Sequence, residues 1–354
     1  MASTVLPTKM RALFLVKKVT DFNQADLASC FEVREVDVPT PEAGEVLVKV
    51  ECSPINPSNL SILKGEYNNS ANAPLPMALG SEGSGTVVAA GSGWLPWSLL
   101  GKRVGCGIFK NRQGLWAEYV CVTAITCITL PDDVSFDGGA SCFVNPMTAV
   151  AFVEIAQARG VKALVHTAGA SALGKMLIKH AKDAGVDVIA VVRRPEQVAS
   201  LQAIGATYIV DTSNVEWKAQ LAALTTQFGA TLGFDAVAGA LTGDVLDCMP
   251  NGSEIQVYGG LSDQACSDIH PRALIFHNKK VTGFWVTKYL DERGILGKIW
   301  MVRKVTQGLA TTFATTIAKG YALEDAAQAM QDYTTTMSDN KVGFKPPMIR
   351  AASS

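Results

Sequence analysis

No two cysteines stand in a C-x-x-C pair, although the chain has eight of them. They are scattered at positions 30, 52, 106, 121, 127, 142, 248 and 266. That scatter gives neither a zinc ribbon nor a disulfide framework, so a reducing, cytoplasmic compartment is expected. No apolar run has the length of a membrane span. Residues 1–10 lack both the apolar core of a signal peptide and the arginines of a transit peptide. Long runs of one charge are missing too. The 31 Lys and Arg balance 32 Asp and Glu to a net charge of −1, which provides no field to hold nucleic acid or an anionic membrane. The four histidines, at 166, 180, 270 and 277, are too dispersed to suggest a proton-relay pair. Repeats and low-complexity tracts are absent.

What remains is a chain built to bury core. Hydrophobic residues make up 48% of it and charged ones 18%, so disorder is excluded. A length of 354 residues predicts about two domains. Residues 11–15 and 45–52 read as strands, the second with clear alternation. Gly and Pro punctuate the chain as far as residue 85, and short strands are expected at 86–90, 103–108 and 116–122. Near Asn145 the pattern changes. A helix is predicted over 147–157. Strands at 163–167, 186–192, 208–211, 232–235, 254–258 and 281–285 then alternate with helices, the first running to 184 and the others over 195–204, 215–228 and 241–249. Such alternation implies a parallel sheet with right-handed crossovers. The tail reads as helices over 295–319 and 323–337 and a strand over 341–349, returning to the first domain.

The segment A-L-V-H-T-A-G-A-S-A-L-G at 163–174 carries the strongest chemistry. A strand enters a tight turn and a helix follows. Gly169, Ser171 and Gly174 take the three positions of G-x-G-x-x-G. There the first allows the turn, the second must be small so that a pyrophosphate can approach, and the third lets helix and strand pack closely. The helix N-terminus offers free N–H groups to the anion, so Gly169, Ala170, Ser171, Ala172, Leu173 and Gly174 form the candidate phosphate cradle. The same stretch begins like a nucleophile elbow, G-x-S-x-G, but has no second glycine. About twenty residues on, where an NAD-binding unit places an acid for the ribose, this chain has Arg193 and Arg194. Guanidinium groups pair with a 2′-phosphate that an acid would repel. NADPH is therefore the expected cofactor.

Taken together, these segments resemble the medium-chain dehydrogenase/reductases. G-S-E-G-S-G-T-V-V-A-A-G at 80–91 is similar to that family's G-x-E-x-x-G-x(5)-G signature, with Gly80, Glu82, Gly85 and Gly91 on the pattern. G-K-R-V-G at 101–105 and W-A-E-Y at 116–119 also match family segments. The resemblance implies an α/β chain: a doubly wound Rossmann sheet over 141–289, set in a β-rich, GroES-like catalytic and substrate domain made of 1–140 and 290–354. The family's zinc alcohol dehydrogenases hold their metal at positions that here carry Asn56, Ser81 and a residue near Val144, and the cysteine-rich lobe of their structural zinc is missing. No metal is expected. The departure points to the quinone oxidoreductase and trans-2-enoyl-thioester reductase branch. P-I-N-P-S at 54–58 with K-G-E-Y at 64–67, V-N-P-M-T at 144–148 and I-F-H-N-K-K-V-T-G-F-W at 275–285 resemble segments of the enoyl reductases.

By that resemblance Tyr67 is the proton donor, and Asn145 and Thr148 lie by the nicotinamide. Tyr258 and Gly259 touch the cofactor as well. Asn56 is a catalytic hydrogen-bond donor. Phe284 and Trp285 wall the cofactor pocket, and Lys341 reaches the cofactor from the tail. His166 reads as a satisfied core residue, and Cys52 and Cys142 as small buried hydrophobes. The leading expectation is metal-free reduction of an activated C=C or a quinone by NADPH. The alternatives are a trans-2-enoyl-CoA or acyl-carrier-protein reductase and a non-catalytic NADPH sensor or structural protein. A basic mouth for an acyl carrier and a transit peptide are both unsigned. A homodimer is expected, because the last strand of the cofactor sheet would otherwise expose an edge.

Overall fold

The computed structural model describes residues 6–108, 114–336 and 341–346. They divide into two compact units, one of residues 1–144 and 298–354, the other of residues 145–297. Residues 1–5, 337 and 347–349, which the sequence reading included in its N-terminal and tail segments, lie outside the described residues.

The first unit is strand-rich. Its elements before residue 144 are β1 (Lys9–Leu15), β2 (Phe31–Asp37), β3 (Glu45–Pro54), α1 (Pro57–Lys64), β4 (Met77–Ala78), β5 (Glu82–Ala90), α2 (Trp94–Leu99), β6 (Arg103–Gly107), β7 (Tyr119–Thr123), β8 (Cys127–Thr129) and α3 (Phe136–Gly139). β3 alternates apolar and polar residues over 48–51 because one of its faces packs into the core, with Val48 and Val50 buried, while Lys49 is exposed and Glu51 half-buried. It pairs antiparallel with β5 from Val46↔Ala90 to Cys52↔Ser84 and with β7 on its other side. Val46, Val48 and Val50 of β3 join Val87, Val104 and Leu115 in one core. β2 and α1 carried weak signals in the sequence. β2 reads F-E-V-R-E-V-D and is an edge strand against β1, registered Lys9↔Asp37 to Leu15↔Phe31. It needs few apolar positions because only one of its faces meets the core. α1 starts with Pro at its first turn, where a missing N–H costs nothing. The strand expected at 116–122 begins only at Tyr119, and Ala117 makes an isolated bridge to Ala12.

The second unit begins within α4 (Val144–Ala158). It continues as β9 (Ala163–His166), α5 (Ala172–Asp183), β10 (Asp187–Val192), α6 (Pro195–Ala203), β11 (Tyr208–Asp211), α7 (Trp217–Phe228), β12 (Leu232–Asp235), α8 (Ala240–Asp247), β13 (Glu254–Val257), α9 (Pro271–Ile275), β14 (Lys280–Gly283) and α10 (Val286–Glu292). The sheet runs β11-β10-β9-β12-β13-β14 with every pairing parallel. Counted within the unit, that order is 3-2-1-4-5-6, the Rossmann arrangement. Alternate residues of the strands face opposite helix layers. Val165, Ile189, Val210 and Ile255 meet Leu221, Val245 and Leu246 on one face. On the other, Phe152 of α4 stacks on Phe234 at 3.7 Å between ring centroids.

The tail adds α11 (Gly294–Gly308), β15 (Lys319–Tyr321), α12 (Ala326–Thr336) and β16 (Val342–Phe344). α11 stops at Gly308, earlier than the expected 319. β16 is a short strand that pairs antiparallel with β3 at Gly343↔Pro54 and Phe344↔Ser53, so the tail extends the sheet that holds β3, whereas β1 belongs to a separate sheet with β2 and β4. The molecule is thus α/β, a parallel Rossmann sheet with a second, strand-rich unit.

Candidate functional site

In an open α/β sheet, ligands bind beyond the C-terminal ends of the strands where the strand order reverses. In the second unit that point lies between β9 and β12. β9 is buried throughout and ends at His166. The chain then turns through Thr167–Ser171 into α5. Ser171 caps the helix, its Oγ accepting the Gly174 N–H at 3.1 Å. The amides of Ala172 and Leu173, in the first turn, have no acceptor within the helix and face outward from its positive end.

The glycines serve somewhat differently from expectation. The left-handed residue of the turn is Ala168, at φ 51°, not Gly169. Gly169 is required by a close approach instead, since a Cβ on it would lie 2.8 Å from the Cβ of Ala190 on β10. Gly174 allows the helix to pack on the loop, and a Cβ there would come within 2.2 Å of the Gly169 carbonyl oxygen. Ala238, after β12, also has positive φ, 63°. Strain at both loops of the crevice is a mark of a functional site.

A buried carboxylate that sequence reasoning missed ties these loops together. Asp235, at the end of β12, is 1% exposed. Its Oδ1 accepts from Thr167 Oγ1 at 2.6 Å and from the Val237 N–H at 2.8 Å. Its Oδ2 accepts from Thr242 Oγ1 at 2.6 Å and from the Ala238 N–H at 3.2 Å. Thr167 Oγ1 in turn accepts from the Ala236 N–H. The only local signal was an Asp closing an apolar strand.

Arg193 and Arg194 follow β10 directly. Arg193 is exposed, its backbone N–H donating to Gln197 Oε1, and Arg194 is the residue preceding α6. Both therefore stand at the C-terminal edge of the sheet, beyond the strand next to β9. Tyr258 and Gly259 follow β13. His166 Nε2 and Tyr258 Oη are 2.8 Å apart and the rings are stacked. Burial pushes the His166 imidazole down to about 3 and Tyr258 up, so both are neutral near pH 7. His166 is only half satisfied, for its Nδ1 has no partner among the described residues. Phe284 lies beyond β14 and packs edge-on to Phe152 at 4.9 Å, while Trp285 precedes α10 and is 40% exposed. Asn145 and Thr148 share the first turn of α4, Thr148 buried and Asn145 half-buried.

The first unit has its own polar cluster. Glu82 opens β5 and is fully buried. Its Oε2 accepts from the N–H groups of Val144 and Phe143 at 2.7 and 3.2 Å, and its Oε1 accepts from Asn56 Nδ2 at 2.7 Å. Lys341 Nζ donates to Asn56 Oδ1 at 2.8 Å. Asn59 Oδ1 accepts the Asn56 backbone N–H, and Asn59 Nδ2 donates to Ser81 Oγ. Glu82, expected only as a point on a signature, and Asn59, for which no role was expected, thus join Asn56 and Lys341 in one network. Tyr67 is half-buried just after α1, at the start of a short 3-10 turn. Among the described residues no group of three His, Cys, Asp or Glu side chains converges as a metal site would require. Cys52 and Cys142 are buried thiols, Cys52 pushed up to about 12 by burial.

Comparison with known proteins agrees with this architecture. Residues 42–132 match the alcohol dehydrogenase GroES-like domain, and residues 172–299 match the zinc-binding dehydrogenase family. A Mesorhizobium loti protein assigned as an NADPH:quinone reductase is 31% identical. The alignment covers 97% of this chain and 100% of that one, with a TM-score of 0.84. The mitochondrial enoyl-[acyl-carrier-protein] reductase of Xenopus tropicalis is 27% identical over 326 residues, 87% of this chain and 89% of that protein. The Escherichia coli quinone oxidoreductase, solved in complex with NADPH, shares the fold at a TM-score of 0.80 and 19% identity, over 95% of this chain and 100% of that one. With a reversed-order parallel sheet in one unit, a GroES-like sheet in the other and a relative of this identity spanning nearly every residue, the chain belongs to the medium-chain dehydrogenase/reductase superfamily, in its quinone and enoyl reductase branch.

Proposed function

We propose that this chain is a metal-independent, NADPH-dependent reductase of activated C=C bonds, in enals and enones, or of quinones. The observation that carries the reading is the loop from Thr167 to Gly174. It pairs a helix N-terminus with two glycines whose side chains would fill the space the backbone needs. Such a cradle fits a pyrophosphate. Arg193 and Arg194, one strand over, fit a 2′-phosphate. The Escherichia coli quinone oxidoreductase, solved in complex with NADPH, and the Mesorhizobium loti relative agree with that choice.

NADPH, when bound, supplies the hydride. The protein's share is placement and charge. The Ala172 and Leu173 amides and the two arginines hold phosphate groups, while Thr167 and Asp235 fix the loops that carry them. Asn145, Thr148, Tyr258, Gly259, Phe284 and Trp285 complete the cofactor seat in this reading. Tyr67 delivers a proton to the α-carbon of the reduced product, because a phenol donates at neutral pH without a metal's help. The metal positions of zinc relatives fall at Asn56, at Ser81 and near Val144, and none of these three is a thiolate or imidazole.

An enoyl thioester is the second reading, favoured by relatives of that activity. A sensor without turnover is the third. The eight free cysteines fit a reducing compartment, the cytoplasm in this proposal. Among the described residues β14 pairs with β13 alone, and it exposes Lys280, Thr282 and Gly283. A second copy pairing along that edge would make the expected homodimer, which sedimentation at two concentrations checks.

NADPH oxidation is followed with EDTA present, using 1,2-naphthoquinone, a 2-alkenal, a cyclic enone and crotonyl-CoA. Oxidation should favour NADPH over NADH and ignore the chelator. Replacing Arg193 and Arg194 by Ala should cut the preference about tenfold or more, as charge-assisted hydrogen bonds are lost. Tyr67→Phe should lower turnover about a hundredfold with little change in stability. Equal use of NADH would sink the arginine argument. NADPH binding without any oxidation would favour the sensor.

A further inference from the structure

β9, β12 and β13 of the second unit run parallel, so their C-terminal ends share one edge of the sheet. Phe234 and His166 are register partners, and their side chains leave the same face. A cluster of rings forms there. Phe152 of α4 stacks on Phe234, and Tyr258 and Phe284 meet Phe152 edge-on at 5.0 and 4.9 Å between centroids. His166, the last residue of β9, completes the cluster and is fully buried. Its ring stacks on that of Tyr258, with Nε2 2.8 Å from the phenol oxygen.

The direction of this bond follows from the partners each group has. Burial keeps the imidazole neutral and the phenol protonated, so one ring nitrogen donates and the other accepts. Were Nε2 the donor, both Nδ1 and the Tyr258 proton would lack a partner among the described residues. With the ring proton on Nδ1, Tyr258 donates to Nε2, and Nδ1 alone is unmatched. The second arrangement is therefore the more stable. A phenylalanine would fill the same place among these rings and leave nothing unmatched. What the imidazole adds is an acceptor for the Tyr258 proton.

Tyr258 stands where such an anchor has most effect. The next two residues are Gly259 and Gly260, and a pair of glycines loses more freedom on ordering than any other pair. The Tyr258 N–H donates to the Asp235 carbonyl at 2.9 Å and the Leu261 N–H to the Ala236 carbonyl at 3.0 Å. Among the described residues neither glycine N–H between them has a backbone acceptor. Gly259 also passes so close to the loop after β12 that a Cβ on it would lie 2.8 Å from the Ala236 carbonyl oxygen. The path of this segment thus depends on where the Tyr258 side chain is held.

We infer that His166 is a positioning residue of the cofactor seat, which accepts the Tyr258 proton and so fixes the start of the Tyr258–Gly260 segment. The inference rests on the reductase reading, in which that segment belongs to the NADPH seat. His166 exchanges no proton in the reaction and acts through Tyr258 alone. A residue expected only to fill core thereby has a task in binding.

The test uses the whole protein and reads melting temperature by calorimetry and NADPH Kd by fluorescence. His166→Phe should leave the melting temperature unchanged or raise it, since an unmatched buried nitrogen is removed. It should nevertheless raise the Kd about fivefold, the loss typical of one neutral hydrogen bond. Tyr258→Phe should raise the Kd by the same factor. The double variant should bind no more weakly than either single one, because all three lack the same bond. His166→Gln keeps an acceptor for the phenol and should hold the Kd within about twofold of the unaltered protein, covering a Phe variant that fails to fold. An unchanged Kd in both single variants, or a double variant whose factors multiply, overturns the inference while the reductase reading stands. A Kd that rises in His166→Phe only with a fall in melting temperature marks packing alone and overturns it too. Failure of the unaltered protein to bind NADPH overturns both readings.

Discussion

Asp235 in the second unit and Glu82 in the first are both buried carboxylates, and among the described residues neither pairs with a cation. Burying a charge without a counter-ion is costly unless hydrogen bonds compensate. The two solve the problem in different ways. Asp235 is closed off by two threonine hydroxyls and two backbone amides, all from its own crevice. Nothing is left over, so the arrangement holds two loops in place. Glu82 takes two backbone amides and then the side chain of Asn56, whose far end meets an ammonium. Its network ends in an ammonium with one acceptor among the described residues. A closed network fixes two loops, and an open one ties the tail to the core of the first unit.

Breaking the closed network should have the larger effect on stability. Asp235→Ala leaves four donors unmatched and should cost about 3 kcal/mol or more, since each buried unsatisfied group costs roughly 1–3 kcal/mol. Calorimetry should show the loss, and NADPH binding should weaken with it. If stability is unchanged, the threonines and amides have other partners and the contrast fails. Glu82→Gln should cost less, about 1–2 kcal/mol, because the amide still accepts at one oxygen. Turnover should nevertheless fall, because Asn56 would lose the acceptor that sets its orientation. A stability loss with full turnover would place Glu82 with Asp235 as a purely structural group.

The smallest effect is expected from a third carboxylate that does meet a cation. Glu254 accepts from Arg159 at 2.7 Å, from Thr282 and from Gln256. Burial pushes its carboxyl up, but these bonds and the Arg159 charge outweigh that and bring it down to about 2. Its folded value is thus depressed below the ordinary value of about 4.3. The contribution is present above that pH and is lost as pH falls from about 4.3 toward 2. Arg159 is partly exposed, so the amount is about 1 kcal/mol. Acid unfolding of Glu254→Gln should lack that part of the pH dependence. An identical acid profile would show that the pair contributes nothing.

These three carboxylates also mark what the sequence could reveal. The 163–174 loop was legible because its geometry is local. Small residues at fixed spacing are dictated by close approach, as at Gly174. Even there the residue in the left-handed region, Ala168, could not be told from spacing. Glu82 was visible as a point on a signature, but not as the acceptor of bonds from Asn56 and Val144, 26 and 62 residues away. Asp235 gave almost no signal, since Thr167 lies 68 residues from it. β2 was hidden for a related reason. Its partner β1 supplies the register, and its own sequence of alternating Glu, Val and Arg resembles a solvated loop. Local constraints leave a spacing to read, whereas partners brought together by the fold do not.

The pairing of β16 with β3 has a further consequence, for the order in which the molecule is made. A chain leaves the ribosome N-terminal end first. Residues 53–56 therefore wait while residues 145–297 emerge and form their sheet, because the strand that borders them and the Lys341 that meets Asn56 come some 285 residues later. A nascent chain halted before residue 341 can hold the complete parallel sheet of the second unit and yet lack the strand that borders β3 and the ammonium that meets Asn56. The second unit can thus be complete while the first still waits for its last strand, and a truncated product would carry one finished sheet and one open one.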